Sequence, residues 1–333
     1  MKVVAELSAN HNGSEKQASH FLRIVQESGA DLVKFQHYRP ETMTVRSALS
    51  EFIVKGGTLW DGRQLFELYE EAMTPWEWTG ELVAQCRELG LKWFSTPFDH
   101  SAVDFLEPFE PWGYKIASFE LNDLPLIRYT ASTGRPLVMS TGMATEEEID
   151  KALDAAWEGG TKAVTLLRCN SSYPAVSSEM DLAAIPYMAK RWGVPVGLSD
   201  HTLTSTSAVV AVALGATMIE KHVTLRRLDG GPDAEFSLEP DELTMLVRDI
   251  HEASAALGHV RFGPSEREKA SLAFRRSLRF VSDMSAGEVI SAENVRSIRP
   301  SGGLSPDLIS EVVGRRVAVD VVIGQAVTWD LVE

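Results

Sequence analysis

Short β-branched runs alternate along this chain with longer segments whose apolar positions recur at helical spacing. The runs that read as strands are KVVAEL (2–7), DLVKFQ (31–36), LKWFS (91–95), YKIAS (114–118), PLVMS (136–140), AVTLLR (163–168), PVGLS (195–199) and ATMIEKH (216–222). Helical stretches such as 14–28, 76–89, 145–157 and 204–214 lie between them. Gly29, Gly90, Gly159 and Gly215 stand where a left-handed C-cap residue belongs. Thr145 reads as an N-cap, followed by three acids that suit the first turn of a helix. Eight strands, each followed by a helix or helix-like segment within about 257 residues, match the count and size of a (β/α)8 TIM barrel. A doubly wound open sheet stays possible, because periodicity alone does not close a barrel. The glycine fingerprint of a dinucleotide fold is absent after the first strand, where the chain reads ELSANHNG.

The pattern changes after Leu257. Residues 1–258 form the expected barrel, 259–275 read as a charged linker packed partly on it, and 276–333 as a small second domain. That last part holds a weak repeat, GEVISAENV (287–295) and GQAVTWDLV (324–332), which suggests a pseudo-symmetric fold. A domain of roughly sixty residues has a limited core and often leans on a neighbour.

Composition narrows the function classes. The 333 residues are 44% hydrophobic and 24% charged, as in an ordinary globular protein. A net charge of −15, from 32 basic and 47 acidic residues, argues against nucleic-acid or anionic-membrane partners. It leaves room for an anionic substrate, since a few lysines can reverse the field inside a cleft. Two distant cysteines, Cys86 and Cys169, build no disulfide framework or zinc knuckle, and Cys169 reads as a buried structural thiol. No apolar run reaches membrane-spanning length and the amino terminus carries no cleavage pattern, so a cytoplasmic location is expected.

In a barrel the chemistry sits at the carboxyl ends of the strands, and here every run ends in polar groups. They are Glu6; Lys34 and Gln36; Ser95 and Thr96; Lys115, Ser118 and Glu120; Ser140 and Thr141; Asn170, Ser171, Ser172 and Tyr173; Ser199, Asp200 and His201; Lys221 and His222. Lys34 and Lys115 each interrupt an apolar run, and an unpaired ammonium there is costly. Their partner is either an anionic ligand or an internal carboxylate. Ser118, Ser140, Ser171 and Ser199 beside two lysines resemble a cradle for phosphate and carboxylate, although serine also simply terminates strands. His201 and His222, at the same end of neighbouring runs, suit a divalent metal with positions left open for water and substrate. Structural or acid–base histidines are the alternative. His11, in SANHNG, reads as a loop or substrate contact.

The motifs ANHNG, GADLVKFQ, FSTPFD, YKIAS-x-E, PLVMSTGM, SSYP, GLSDHT, EKH and GGPD, in this order and followed by IRPSGG, resemble the sialic acid synthase family over essentially the whole chain. The resemblance implies a TIM barrel joined to an antifreeze-like (SAF) domain. It implies condensation of phosphoenolpyruvate with an N-acetylated amino sugar to a nonulosonic acid, with Mn2+ or Mg2+ assisting. GTLWDGRQLFELYEEAMTPWEW, KIASFEL and GGPDAEFSLEP point to the pseudaminate-forming branch, which uses 2,4-diacetamido-2,4,6-trideoxy-altrose; N-acetylneuraminate or legionaminate synthesis is the alternative. By motif matching, Lys34, Thr96, Lys115, Ser118, Ser140, Ser171 and Ser199 would hold phosphoenolpyruvate, and His201 and His222 the metal. Gln36, Tyr173, Asp233 and Glu120 would face the sugar or its aldehyde, with Glu120 moving a proton or steadying positive charge. Arg299 would reach an N-acetyl group from the partner subunit of a domain-swapped homodimer. Some relatives carry an acid where this chain has Asn12, so an acid–base role there does not transfer. A metal-free Schiff-base aldolase and a non-catalytic carbohydrate- or ice-binding protein are the competing readings.

Overall fold

Eight parallel strands close into a barrel: β1 (Lys2–Glu6), β2 (Leu32–His37), β3 (Lys92–Pro97), β4 (Tyr114–Ile116), β5 (Leu137–Ser140), β6 (Val164–Cys169), β7 (Val196–Asp200) and β8 (Met218–His222). This computed structural model describes residues 1–333 as two units, Met1–Gly258 and His259–Glu333. Strand β8 pairs in parallel with β1, from Lys2 opposite Met218 to Glu6 opposite His222. That pairing decides between the closed barrel and the open sheet.

The helices form where the sequence caps and patterns them. Helix Glu15–Ser28 begins at Ser14, whose hydroxyl accepts from the Gln17 N–H, and ends at Gly29 with φ 77°. It buries Ala18, Phe21, Leu22 and Val25, one stripe at helical spacing. Each large side chain so buried contributes roughly 1.5–3 kcal/mol. Thr145 caps helix Glu146–Gly159 in a full capping box with Glu148. The C-cap expectation fails at its end: Gly159 is still helical, and Gly160, at φ 105°, terminates the helix. Gly159 is needed for packing instead, because a Cβ there would stand 2.5 Å from both Ala131 Cβ and Arg128 O of the neighbouring helix Leu124–Ala131.

Alternate residues of each strand face the barrel interior. The lower interior is a plug of Val4, Leu32, Phe94, Val138, Leu167 and Met218, with Trp112 packed against it. Outward residues such as Val3, Val33, Ile116, Met139 and Ile219 join the helices in the main core. The plug closes the cylinder from below, so the barrel opens only at the carboxyl ends of its strands.

In the second unit β9 (Ser277–Phe280) pairs antiparallel with β10 (Val295–Ile298). Its core gathers Leu278, Phe280, Met284, Ile290, Val295, Val312, Val317, Val321, Val327 and Val332. The repeat read from the sequence has a physical counterpart. Val289 bridges Arg316 and Val332 bridges Val317, while Ala326 bridges Arg279 and Val295 pairs with Phe280. Each repeat thus spans the same two stretches of chain, in opposite order. Residues expected to be linker include a 3-10 segment, Lys269–Phe274. No helix of the chain is long and apolar enough to cross a membrane.

Candidate active site

Two residues above the plug, the inward positions change character. Glu6 stands level with Lys34 on one side and His222 on the other. Ser199 stands level with Cys169 and with Glu220. The result is a polar floor under a cavity of about 450 Å³. Lys34 forms an ion pair with Glu6, lies 3.4 Å from Glu220 Oε1, and donates to Thr96 Oγ1 at 3.3 Å. Lys115 lies 3.4 Å from the same Glu220 oxygen. Burial lowers the Lys34 ammonium to about 8, against the opposing pull of Glu220. Burial pushes the Glu220 carboxyl up, but Lys115 and Lys34 outweigh it and hold the group below its usual value. The floor is therefore an internally neutral set of two ammoniums and two carboxylates. Ser140 Oγ and one oxygen of Glu220 are buried there without a hydrogen-bond partner. Buried polar atoms left this way are uncommon and mark a place prepared for a ligand.

Above the floor stand His201 and His222, with ring centroids 5.3 Å apart. Phe236 packs on both, at 5.9 and 5.0 Å, and Tyr173 lies 4.5 Å from His201. Burial lowers His201 to about 4 and holds His222 well below the usual imidazole range. Both rings are neutral at pH 7. His201 Nδ1 lies 2.8 Å from the Asn170 carbonyl, which can only accept, so Nδ1 carries the proton and Nε2 a lone pair. His222 Nδ1 is buried without a hydrogen bond, 4.0 Å from Asp233 Oδ2. Asp233 is held in turn by the Ser8 hydroxyl and by the Ala9 N–H at 3.2 Å. Two neutral imidazoles with free nitrogens are the donors a divalent ion takes. No group of three or more His, Cys, Asp or Glu side chains is placed to ligate together, so substrate and water would fill the other positions. Glu120 lines the cavity with an unpartnered buried oxygen, and burial raises its carboxyl to about 7. That is the range in which a group both takes and gives protons at neutral pH.

Residues 21–262 match the NeuB family, and residues 275–333 match the SAF domain. The chain belongs to the NeuB family. It is 40% identical over 324 residues to a pseudaminic acid synthase of Campylobacter jejuni subsp. jejuni, covering 97% of this chain and 94% of the relative. It is 33% identical over 336 residues to an N,N'-diacetyllegionaminic acid synthase of Legionella pneumophila, covering 99% and 94%. Among solved structures, the N-acetylneuraminic acid (sialic acid) synthetase of Leptospira borgpetersenii superposes with a TM-score of 0.72 at 28% identity, covering 81% of this chain and 89% of that one.

Most positions singled out from the family motifs converge. Lys34, Gln36, Thr96, Lys115, Ser118, Glu120, Ser140, Tyr173, Ser199, His201, His222 and Asp233 all line the one cavity. Ser171 opens instead onto a neighbouring polar pocket with Arg168, Asn170 and Met143. The strand ends at Cys169, the inward residue after Leu167, which is buried and lines the cavity; Ser171 lies beyond the strand with its hydroxyl 3.8 Å from Cys169 Sγ. Arg299 is an exposed residue of the second unit, following β10. His11 is fully buried and accepts the Gly13 N–H on Nδ1 at 3.0 Å, so it holds its own turn and contacts no ligand space. Asp200 and Lys221 point away from the cavity and pair with each other at 2.9 Å in the barrel wall. Glu220 is the floor residue that reading strand ends missed. Its signal was present, since Met218, Glu220 and His222 alternate on one face of ATMIEKH.

Proposed function

We propose that this NeuB-family chain is a pseudaminic acid synthase. It condenses phosphoenolpyruvate with 2,4-diacetamido-2,4,6-trideoxy-β-L-altropyranose and water to give pseudaminic acid and phosphate by C–O cleavage. The observation that carries the chemistry is the floor: two buried ammoniums and a set of hydroxyls beneath two neutral imidazoles, with a carboxyl near neutrality at the side. The higher identity to a pseudaminic acid synthase than to a legionaminic acid synthase supports the choice of sugar.

Lys34 and Lys115 take the phosphate and carboxylate of phosphoenolpyruvate, with Thr96, Ser118, Ser140 and Ser199 donating and Ser171 behind them. The anion competes with Glu6 and Glu220 for the same ammoniums, which fixes its orientation in a site that has no spare charge. Gln36, Tyr173 and Asp233 position the open-chain sugar so that C3 of the enol phosphate meets the aldehyde carbon. A Mn2+ or Mg2+ ion held by His201 and His222 would supply Lewis-acid stabilisation to the aldehyde oxygen. As the C–C bond forms, positive charge develops at C2 of the former enol. Glu120, in its carboxylate form, steadies that charge and takes a proton from the water that adds there. The tetrahedral centre then expels phosphate and leaves the keto acid.

Arg299 reaches the sugar's N-acetyl group from the partner subunit of a domain-swapped homodimer. The loops that follow the strands support a covered mouth, since they expose Leu59, Phe119, Met143, Val176, Leu203 and Leu228 to solvent in the single chain.

Coupled release of orthophosphate tests the reading, with phosphoenolpyruvate plus the altrose-type sugar, N-acetylmannosamine or the legionaminate precursor. The reading expects release with the altrose-type sugar far above the others. Release led by another sugar moves the assignment within the family, and no release with any of them ends it.

A further inference from the structure

Behind the two imidazoles, on the outward face of the barrel wall, lies a charge pair that no step of the condensation uses. Asp200 ends β7, and Lys221 stands level with it on β8. They form an ion pair at 2.9 Å, and neither side chain is more than 1% exposed. The Lys221 ammonium also donates to the Thr202 carbonyl and, at 3.4 Å, to the Thr202 hydroxyl. Asp200 Oδ1 accepts from the Thr202 N–H at 2.9 Å. One ammonium on β8 therefore grips the residues on both sides of His201, and it is itself the residue before His222. Neither Asp200 nor Lys221 lines the cavity in which both imidazoles stand.

A buried ion pair adds little net stability, because desolvation of two charges cancels most of their attraction, and well-packed apolar side chains of similar volume serve as well or better. What this pair adds is direction. An ammonium offers three donors, and here all three acceptors belong to Asp200 and Thr202. Neighbours in a strand point to opposite sides, so anchoring the outward residues fixes the direction in which the inward one leaves the backbone. His201 has a second hold, from Nδ1 to the Asn170 carbonyl at 2.8 Å. His222 Nδ1 has no hydrogen bond, so its aim depends on the backbone of β8, where Lys221 is the adjoining residue.

We infer that Asp200 and Lys221 are positioning residues that clamp the ends of β7 and β8 and so hold His201 and His222 at the spacing a shared divalent ion needs. The inference rests on the synthase reading above and adds the residues that keep its ion site in register.

The test reads Mn2+ binding to the full-length protein, without substrate, from the loss of the free-ion electron paramagnetic resonance signal. Thermal midpoints and the KM of phosphoenolpyruvate are measured beside it. Lys221→Met leaves Asp200 unpaired; Asp200→Leu combined with Lys221→Met replaces the pair with apolar packing. The expected result is a Kd for Mn2+ about 10- to 100-fold weaker in both variants, the usual loss when the support of a ligand is removed. The double variant keeps a midpoint near that of the wild type, and the KM of phosphoenolpyruvate is unmoved. Unchanged Mn2+ affinity in the folded double variant overturns the inference, and so does a double variant that fails to fold, since the pair then carries stability. A wild-type protein that binds no Mn2+ overturns the ion site of the synthase reading and the clamp with it.

Discussion

On six strands a step of two residues carries the barrel interior from Val4 to Glu6, Leu32 to Lys34, Phe94 to Thr96, Val138 to Ser140, Leu167 to Cys169 and Met218 to Glu220. The lower set is a dry plug. The upper set is a polar floor. Both are buried by the same strands, so burial alone does not separate structure from chemistry. What separates them is whether the buried groups satisfy each other. The plug leaves nothing unpaired. The floor neutralises its charges but leaves hydrogen-bonding capacity over, on Ser140 and Glu220. The plug also keeps water from reaching the floor from below, which keeps the dielectric low where charge must develop.

That contrast can be broken from either side. The largest effect is expected above the floor. His222→Ala should abolish turnover that depends on added Mn2+ or Mg2+ while leaving the thermal midpoint near that of the wild type; retained activity would remove the histidine pair from the site. Next, Lys115→Met should lower kcat/KM for phosphoenolpyruvate roughly 10²- to 10³-fold, the usual loss when one member of a buried charge contact is cut. Steady-state kinetics with an unchanged KM would argue that Lys115 only balances Glu220.

Glu120 gives a prediction in pH. Its carboxyl is raised to about 7, first by burial and against the pull of Lys115. The carboxylate is the working form, so kcat/KM should rise as pH increases through about 7. Glu120→Gln should lose about 10²-fold or more at the plateau and should lack that limb. A pH profile unchanged by the substitution would move the proton transfer to another group. The smallest catalytic effect is expected in the plug. Leu167→Ala should cost about 2–5 kcal/mol of stability by denaturant unfolding, with both KM values close to wild type. A large KM change there would mean that floor and plug are one unit.

Much of the barrel was legible because strand periodicity and capping are local. The strands fall within a residue or two of where the apolar runs place them, and the capping box at Thr145 begins its helix as read. The misreadings share a cause. Gly159 looks like a terminator, but its lack of a side chain serves a contact with Ala131 on another helix. Lys221 and His222 end the same run, yet only His222 faces the cavity, because neighbours in a strand point to opposite sides. Ser171 lies beyond the end of β6 at Cys169, where strand alternation no longer sets its direction, and lines the neighbouring polar pocket. The hairpin in which Val54 N–H donates to Arg63 O carries no periodic signal, and Trp60 within it meets residues far along the chain, donating to Pro232 O and packing near Tyr173 and Phe236.

The order of residues by itself determined the eight-strand repeat, the strand ends at which chemistry had to appear, and the residue types available there, since each follows from spacing of a few positions. Tertiary structure decided the closure of β8 onto β1 and the pairing of Lys34 and Lys115 with Glu6 and Glu220. Those contacts join residues far apart along the chain, as Lys2 with Met218 and Glu6 with His222, and only the register and tilt of the closed barrel bring them within reach.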